Sequence, residues 1–376
     1  MFVITGRMDL KRLWQEMDKR NLDAVVALTQ ENTYYSTGAY ITTQKTVPPR
    51  LGFALFPYGA QPTLLVCSIE ESVCKDQSWV EDLRLYTEFT HRPVEAFADL
   101  LKEKGLQDKH IGIEMHYLPW SESAHLENML PNARFSECKD VFYALRAVKR
   151  PDEVEVLAHA ARGTTSAIMA AFEMARPGWT EKQLSGLILK NILDSGADLT
   201  FFMTMGSGER GLISHPIPND TVLEKGTVLR LDCGGIYEGY LSDVARTVAI
   251  GEPSAHRKDM YKRILEVQRI VIEKCTVGTP ISELYHLSKR VAEQKGLAYW
   301  MPHFGHSMGV ECHEEPMINA YTDTLLEENM ILNVEPLFWD LDDGVGYHTE
   351  DLIVVTNNGP RILTGSDLSL DIPVIK

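Results

Sequence analysis

The sequence has no apolar run near the roughly 20 residues that cross a bilayer, so no membrane partner is expected. Its opening stretch, MFVITGRMDLKRLWQEM, turns charged after a few apolar positions, unlike a secretory leader. It has no CxxC pair, and the six cysteines (Cys67, Cys74, Cys138, Cys233, Cys275 and Cys312) are few for 376 residues. That pattern reads as reduced thiols in the cytoplasm. Positive charge is also scarce: 37 basic against 53 acidic residues leave a net charge of −16. Such a balance argues against nucleic acid or an anionic membrane surface as the main partner. Low-complexity tracts and short tandem repeats are missing as well.

What is present suits a soluble globular protein: 44% apolar and 24% charged residues, in a chain long enough for two cored domains. Residues 8–21 carry Leu10, Leu13 and Met17 at helical spacing, and LDAVVAL (22–28) reads as a strand. Two strands flank a Pro-Tyr-Gly turn within 50–68, a helix follows over 94–105, and HIGIEM (110–115) is another strand. This alternation predicts an α/β N-terminal domain, 1–147. A long helix begins at Pro151-Asp152, and Thr180 with Gln183 forms a capping-box pattern for the next. Strand-like segments at 201–208, 227–235 and 239–251, and helices near 254–275 and 280–295, fill a second domain, 148–376.

Five residues of that second half carry the chemistry: Asp232, Asp243, His306, Glu335 and Glu350. Asp232 ends an apolar strand, and Gly234-Gly235 permits a turn that returns Asp243 beside it. Glu335 ends the apolar run MILNV and Glu350 precedes LIVV, where a carboxylate is costly unless it is paired or bound to metal. Four carboxylates and one imidazole form a hard, oxygen-rich set, suited to two divalent cations rather than one zinc ion. Without cations, each like-charge pair about 4 Å apart costs roughly 4 kcal/mol at an effective dielectric near 20. Two cations remove that penalty and activate water at neutral pH. His303, His306 and His313 lie close together in HFGHSMGVECHEEP, with His306 as the ligand and His313 as a donor to a reacting oxyanion. Cys233 and Cys312 read as small packing residues.

Together the motifs DCGGIYEGYLSD, GHSMGVECHE, VEP and GYHTED resemble those of the prolidase, aminopeptidase P, creatinase and methionine aminopeptidase superfamily. The resemblance implies an α/β (α+β) protein with a creatinase-like N-terminal domain and a pita-bread catalytic domain. It implies two bound metal ions, manganese with cobalt or zinc able to substitute, and a homodimer. Asp243 and Glu350 would bridge the metals, Asp232 would hold one, and His306 with Glu335 the other. His215 stands 17 residues before Asp232, as a family histidine does (232 − 215 = 17). His215 and His313 would then polarise the scissile carbonyl, Glu335 would move the proton, and Arg246 would support the carboxylates. A closing N-terminal domain could bring Tyr35 or Arg50 near substrate.

The match weakens around the substrate. GHSMG replaces GHGIG, Leu337-Phe338-Trp339 follows Glu-Pro where glycine is common, and His348 replaces an arginine of GVRIED. His303 lies three residues before His306, where an extra family histidine lies four before, so its role stays open. Trp339, Tyr347 and Tyr237 are either pocket walls or core. The expected function is hydrolysis of the amide bond of a dipeptide or short peptide, with proline in second position. The alternatives are a small non-peptide metabolite at the same metals, as in ectoine hydrolase or dimethylsulfoniopropionate lyase relatives, a metal-free creatinase-like enzyme, and a binding protein without catalysis.

Overall fold

The computed structural model describes residues 8–47, 50–365 and 369–376. What the first seven residues say about a leader therefore falls outside the described residues. Two compact units make up the chain, one ending at Arg146 and the other running from Ala147 to Lys376.

In the first unit a six-stranded sheet runs in the order Asp82–Tyr86, Thr63–Cys67, Phe53–Pro57, Ala24–Ala27, His110–Ile113, Arg134–Glu137. Phe53–Pro57 is antiparallel to both its neighbours and the other pairings are parallel. Its central strands are buried at every position, as strands covered on both faces must be. The amphipathic segment at 94–105 forms the helix Pro93–Glu103, which stacks Phe97 on Phe53 at 4.3 Å between ring centroids. The first helix, Leu10–Arg20, is capped by Asp9, whose Oδ1 accepts from the Lys11 amide at 2.9 Å. Tyr35 and Arg50 are engaged within this unit: the Tyr35 hydroxyl donates to the Leu145 carbonyl, and Arg50 grips Glu88 through two bonds of 3.0 Å.

The second unit places two helix pairs on two sheets. Pro151–Met174 and Glu181–Asp194 cover the sheet of Leu199–Ser207, Val228–Tyr237, Val244–Ile250 and Val374–Ile375, to which Tyr240–Leu241 also pairs. Ala255–Lys274 and Ile281–Gln294 cover the sheet of Glu314–Asn319, His303–Ser307, Ile331–Val334, Asp351–Val354 and Arg361–Ile362. The helix connections correspond: each second helix is preceded by a positive-φ glycine, Gly178 and Gly278, 100 residues apart (278 − 178). Each connection bridges to a downstream segment, Thr180 to Val222 and Pro280 to Leu325. The Thr180–Gln183 capping box forms, with reciprocal bonds of 3.2 and 2.8 Å. Two like halves thus meet, and candidate site residues come from both.

One expectation about the backbone is corrected. Gly234-Gly235 is not a turn: the strand continues to Tyr237, and the chain reverses at Glu238-Gly239, where φ is 49° and 76°. Two consecutive positive φ values suit the tight hairpin that pairs Tyr237 with Tyr240. The glycines serve close packing instead. A Cβ on Gly234 would lie 1.8 Å from the Ser242 carbonyl oxygen, and one on Gly235 2.7 Å from Ile192 Cγ2.

Two alanine substitutions separate close packing from helix propensity. Gly234→Ala should lower the unfolding free energy by about 3 kcal/mol or more. Gly186→Ala, in the helix Glu181–Asp194 with open space at its Cβ, should raise it by up to about 1 kcal/mol. Urea denaturation of both variants checks the pair.

Candidate metal centre

Strand register brings the first two carboxylates together. Asp232 pairs across the ladder with Ala245, and Asp243 directly precedes Val244, the partner of Cys233. On the other sheet His306 pairs with Asn333, and Glu335 follows at the end of Ile331–Val334. The Glu335 amide donates to the Phe304 carbonyl at 3.1 Å. Glu350 sits where Val345–His348 passes into Asp351–Val354, and its amide donates to the Ala245 carbonyl at 3.1 Å. That bond ties the second sheet to the strand beside Asp232.

All five side chains converge. His306 Nε2 lies 3.3 Å from Glu335 Oε1 and 3.8 Å from Asp243 Oδ2. Ligand atoms of Asp243, His306 and Glu350 fall within 4.8 Å of one another, as do those of His306, His313 and Glu335. His306 and Glu350 are wholly buried, and Asp243 is 4% exposed. Despite this burial, Asp232 Oδ1, Asp243 Oδ1, His306 Nε2, Glu335 Oε1 and both Glu350 carboxylate oxygens have no hydrogen-bond partner. Buried polar atoms without partners are costly. Divalent cations would satisfy all of them at once, so the residues present fit a metal centre. His306 is oriented for this role, because its Nδ1 faces the Ser307 carbonyl at 3.0 Å and leaves Nε2 pointing inward.

The electrostatics carry the same signature. Burial, reinforced by the neighbouring carboxylates, pushes Asp232 and Glu350 well above the usual carboxylate range and Asp243 up to about 7. Glu335 goes the other way: burial would raise it, but His306, His348 and His303 hold it at about 2. His313 stacks on His306 with ring centroids 3.9 Å apart, and burial together with His306 lowers it to about 4. His215 lies on an exposed loop and adds to that lowering.

Supporting residues lie close by. Arg246 donates to the backbone carbonyl of Glu350 and reaches Asp351 Oδ1 at 3.0 Å. His303 Nδ1 is 3.4 Å from Glu335 Oε1. His348, which replaces an expected arginine, is buried with both ring nitrogens unpartnered, 3.5 Å from Glu335 Oε2 and 4.0 Å from Asp232 Oδ2. Cys312 is more than a packing residue, since its thiol donates to Asp243 Oδ2 at 3.0 Å. Its odd place, one residue before His313, was the only signal for this. Tyr237 belongs to the core, with its hydroxyl 2.8 Å from Ser195 Oγ. Tyr347 is fully buried, whereas Trp339 is half-buried with an unpartnered Nε1.

Residues 155–357 match the model for metallopeptidase family M24, and residues 10–148 match the creatinase/prolidase N-terminal domain. The chain is 29% identical to the Xaa-Pro dipeptidase of Pyrococcus horikoshii over 96% of its length and 98% of that protein's. Among solved structures it resembles the X-Pro aminopeptidase of Thermotoga maritima (TM-score 0.84, 26% identity, 98% and 99% of the two chains). It also resembles the Xaa-Pro dipeptidase of Bacillus anthracis (TM-score 0.85, 26% identity, 97% and 98%). A buried carboxylate cluster with unpaired oxygens, on the segment that the family model covers, leads to one assignment: the chain belongs to metallopeptidase family M24.

Proposed function

We propose that this protein is a dinuclear metal-dependent dipeptidase that cleaves the amide bond before proline in Xaa-Pro dipeptides or short peptides. The observation that carries the reading is the set of buried, unpartnered atoms on five residues: carboxylate oxygens of Asp232, Asp243, Glu335 and Glu350, and Nε2 of His306. Asp232, Asp243, His306, Glu335 and Glu350 would hold the two cations between them, His306 and Glu335 from one sheet and Asp232 and Asp243 from the other. The cations, manganese by preference, supply positive charge and acidify water so that hydroxide is available at neutral pH.

The protein's own groups do the rest. Glu335, held anionic among three histidines, accepts the proton of the attacking water and passes it to the leaving nitrogen. His313, stacked on His306, donates to the developing oxyanion together with His215. The stack fixes the His313 ring relative to the ligand it covers. Arg246 fixes the Glu350 backbone, so that this carboxylate stays aimed inward. Relatives named for Xaa-Pro dipeptides and X-Pro substrates support the substrate class. We read the protein as a cytoplasmic homodimer. Its cysteines are free, and among the described residues no helix is long and apolar enough to cross a membrane.

His348 and Trp339 favour a second reading, in which the same metals act on a small non-peptide metabolite. An unpartnered imidazole takes the place of a guanidinium there, which changes the charge offered to substrate. A panel of Xaa-Pro dipeptides and zwitterionic metabolites decides between the two. Manganese-dependent proline release is expected, and metabolite turnover without proline release would overturn the peptidase reading.

Asp243→Ala or His306→Ala should abolish proline release. His313→Ala and His215→Ala should each lower kcat by about a hundredfold while metal stays bound. Steady-state kinetics with metal analysis checks both statements. Metal should also stabilise the fold: free manganese at about 100 times its Kd adds about 2.7 kcal/mol per site, seen as a rise in Tm.

In metal-free protein the pH dependence has a definite sign. Burial, with the Glu335 carboxylate beside it, pushes Asp243 up to about 7, above an ordinary carboxylate. Its contribution to stability is complete below about pH 4 and is lost as pH rises through about 7. Asp243→Asn mimics the protonated form, so metal-free Asp243→Asn should gain Tm relative to wild type between about pH 5 and about pH 8. Thermal melts in chelator across that range measure the gap. Manganese should raise the Tm of wild type but not of Asp243→Asn.

A further inference from the structure

The loop that carries His215 is fastened by an arginine that the metal centre does not explain. Arg230 lies two residues before Asp232 on the strand Val228–Tyr237, so the two side chains leave the same face. Arg230 is only 1% exposed. Its Nε donates to the Gly211 carbonyl at 2.7 Å, and its Nη2 donates to the carbonyls of Ser214, at 2.8 Å, and Ile213. All three acceptors belong to the segment that ends at His215, and Ser214 is its immediate neighbour. A buried guanidinium spent on backbone carbonyls is an expensive way to close a loop.

The loop is held at its base too. Arg210 bonds both Glu181 carboxylate oxygens at 3.2 Å and the Ile217 carbonyl at 2.6 Å, and the Met205 amide donates to the Pro216 carbonyl at 2.7 Å. On its inner side the loop lies backbone to backbone on the hairpin that ends at His348: a Cβ on Gly346 would fall 2.0 Å from the Gly211 carbonyl oxygen. Those contacts fix where the loop begins and ends. The carbonyls beside His215 are fixed by Arg230, whose strand also carries Asp232.

We propose that Arg230 is a positioning residue that sets His215 against the reacting carbonyl by clamping the Gly211, Ile213 and Ser214 carbonyls to the Asp232 strand. The inference rests on the role given to His215 under the proposed function. The guanidinium reaches the three carbonyls from two separate nitrogens, Nε and Nη2, a fixed spread that a single ammonium does not reproduce.

The test compares Arg230→Met, Arg230→Lys, His215→Ala and the double variant Arg230→Met/His215→Ala. The readouts are Tm, bound manganese, kcat and KM on an Xaa-Pro dipeptide, and limited proteolysis within 208–217. Arg230→Met should keep its manganese, lose about a hundredfold in kcat with little change in KM, and become cleavable in the loop. The double variant should be no slower than His215→Ala alone, because both changes remove one interaction. Arg230→Lys should recover only part of the loss. Multiplicative losses in the double variant, or full recovery with Arg230→Lys, would overturn the clamp. Full activity in His215→Ala would remove the role on which it rests, and Arg230→Met losing kcat beside a fully active His215→Ala would overturn the clamp outright. Should Arg230→Met fail to fold, Arg230→Lys with and without His215→Ala supplies the same cycle.

Discussion

Four carboxylates gathered in one buried cluster are the constraint that the chemistry of the C-terminal unit rests on. Asp232, Asp243, Glu335 and Glu350 belong to two sheets, and each is placed by backbone hydrogen bonds made elsewhere in its ladder. The fold therefore imposes a concentration of negative charge that an isolated segment would avoid. Burial raises the proton affinity of three of them, and the surrounding histidines keep the fourth ionised. Protons are one way to relieve the strain and divalent cations are another. Because the two compete for the same oxygens, metal binding, proton release and stability are one linked equilibrium.

Much of this was legible in the sequence, for a physical reason. Carboxylates at the ends of apolar strands are expensive, so DCGG, VEP and TED stand out against the runs around them. Register does the rest: with the side-chain period of two, residues far apart in sequence meet wherever their strands pair. The helices at 151 and 181 were equally legible, since proline at the first turn and a Thr-x-x-Gln box mark their starts. The resemblance to the prolidase superfamily added the role expected of His215, which nothing around SHPIPND signals by itself.

Other features were not legible, because they depend on who faces whom. Gly234 and Gly235 read as a turn, yet they are strand residues whose missing side chains let Ser242 and Ile192 approach. Cys312 read as packing, and only the fold puts its thiol against Asp243. In the N-terminal unit Glu114 is wholly buried, accepting from the amides of Leu28 and Thr29 at 2.6 and 2.9 Å and from Asn32 Nδ2 at 2.7 Å. Nothing near Glu114 in sequence signals that role, since its donors lie more than 80 positions away. Arg230 is similar, since a basic residue in an apolar strand has no meaning until its loop partners are known.

Everything proposed for the chemistry depends on where the cations sit. A crystal structure of manganese-loaded protein, with anomalous scattering recorded, tests it directly. Two anomalous peaks about 3.5–4 Å apart, with carboxylate oxygens of Asp243 and Glu350 bonded to both, are the predicted result. A single peak, or peaks only at the His256, Asp340 and Asp343 group, would contradict the dinuclear centre and the hydrolytic chemistry built on it.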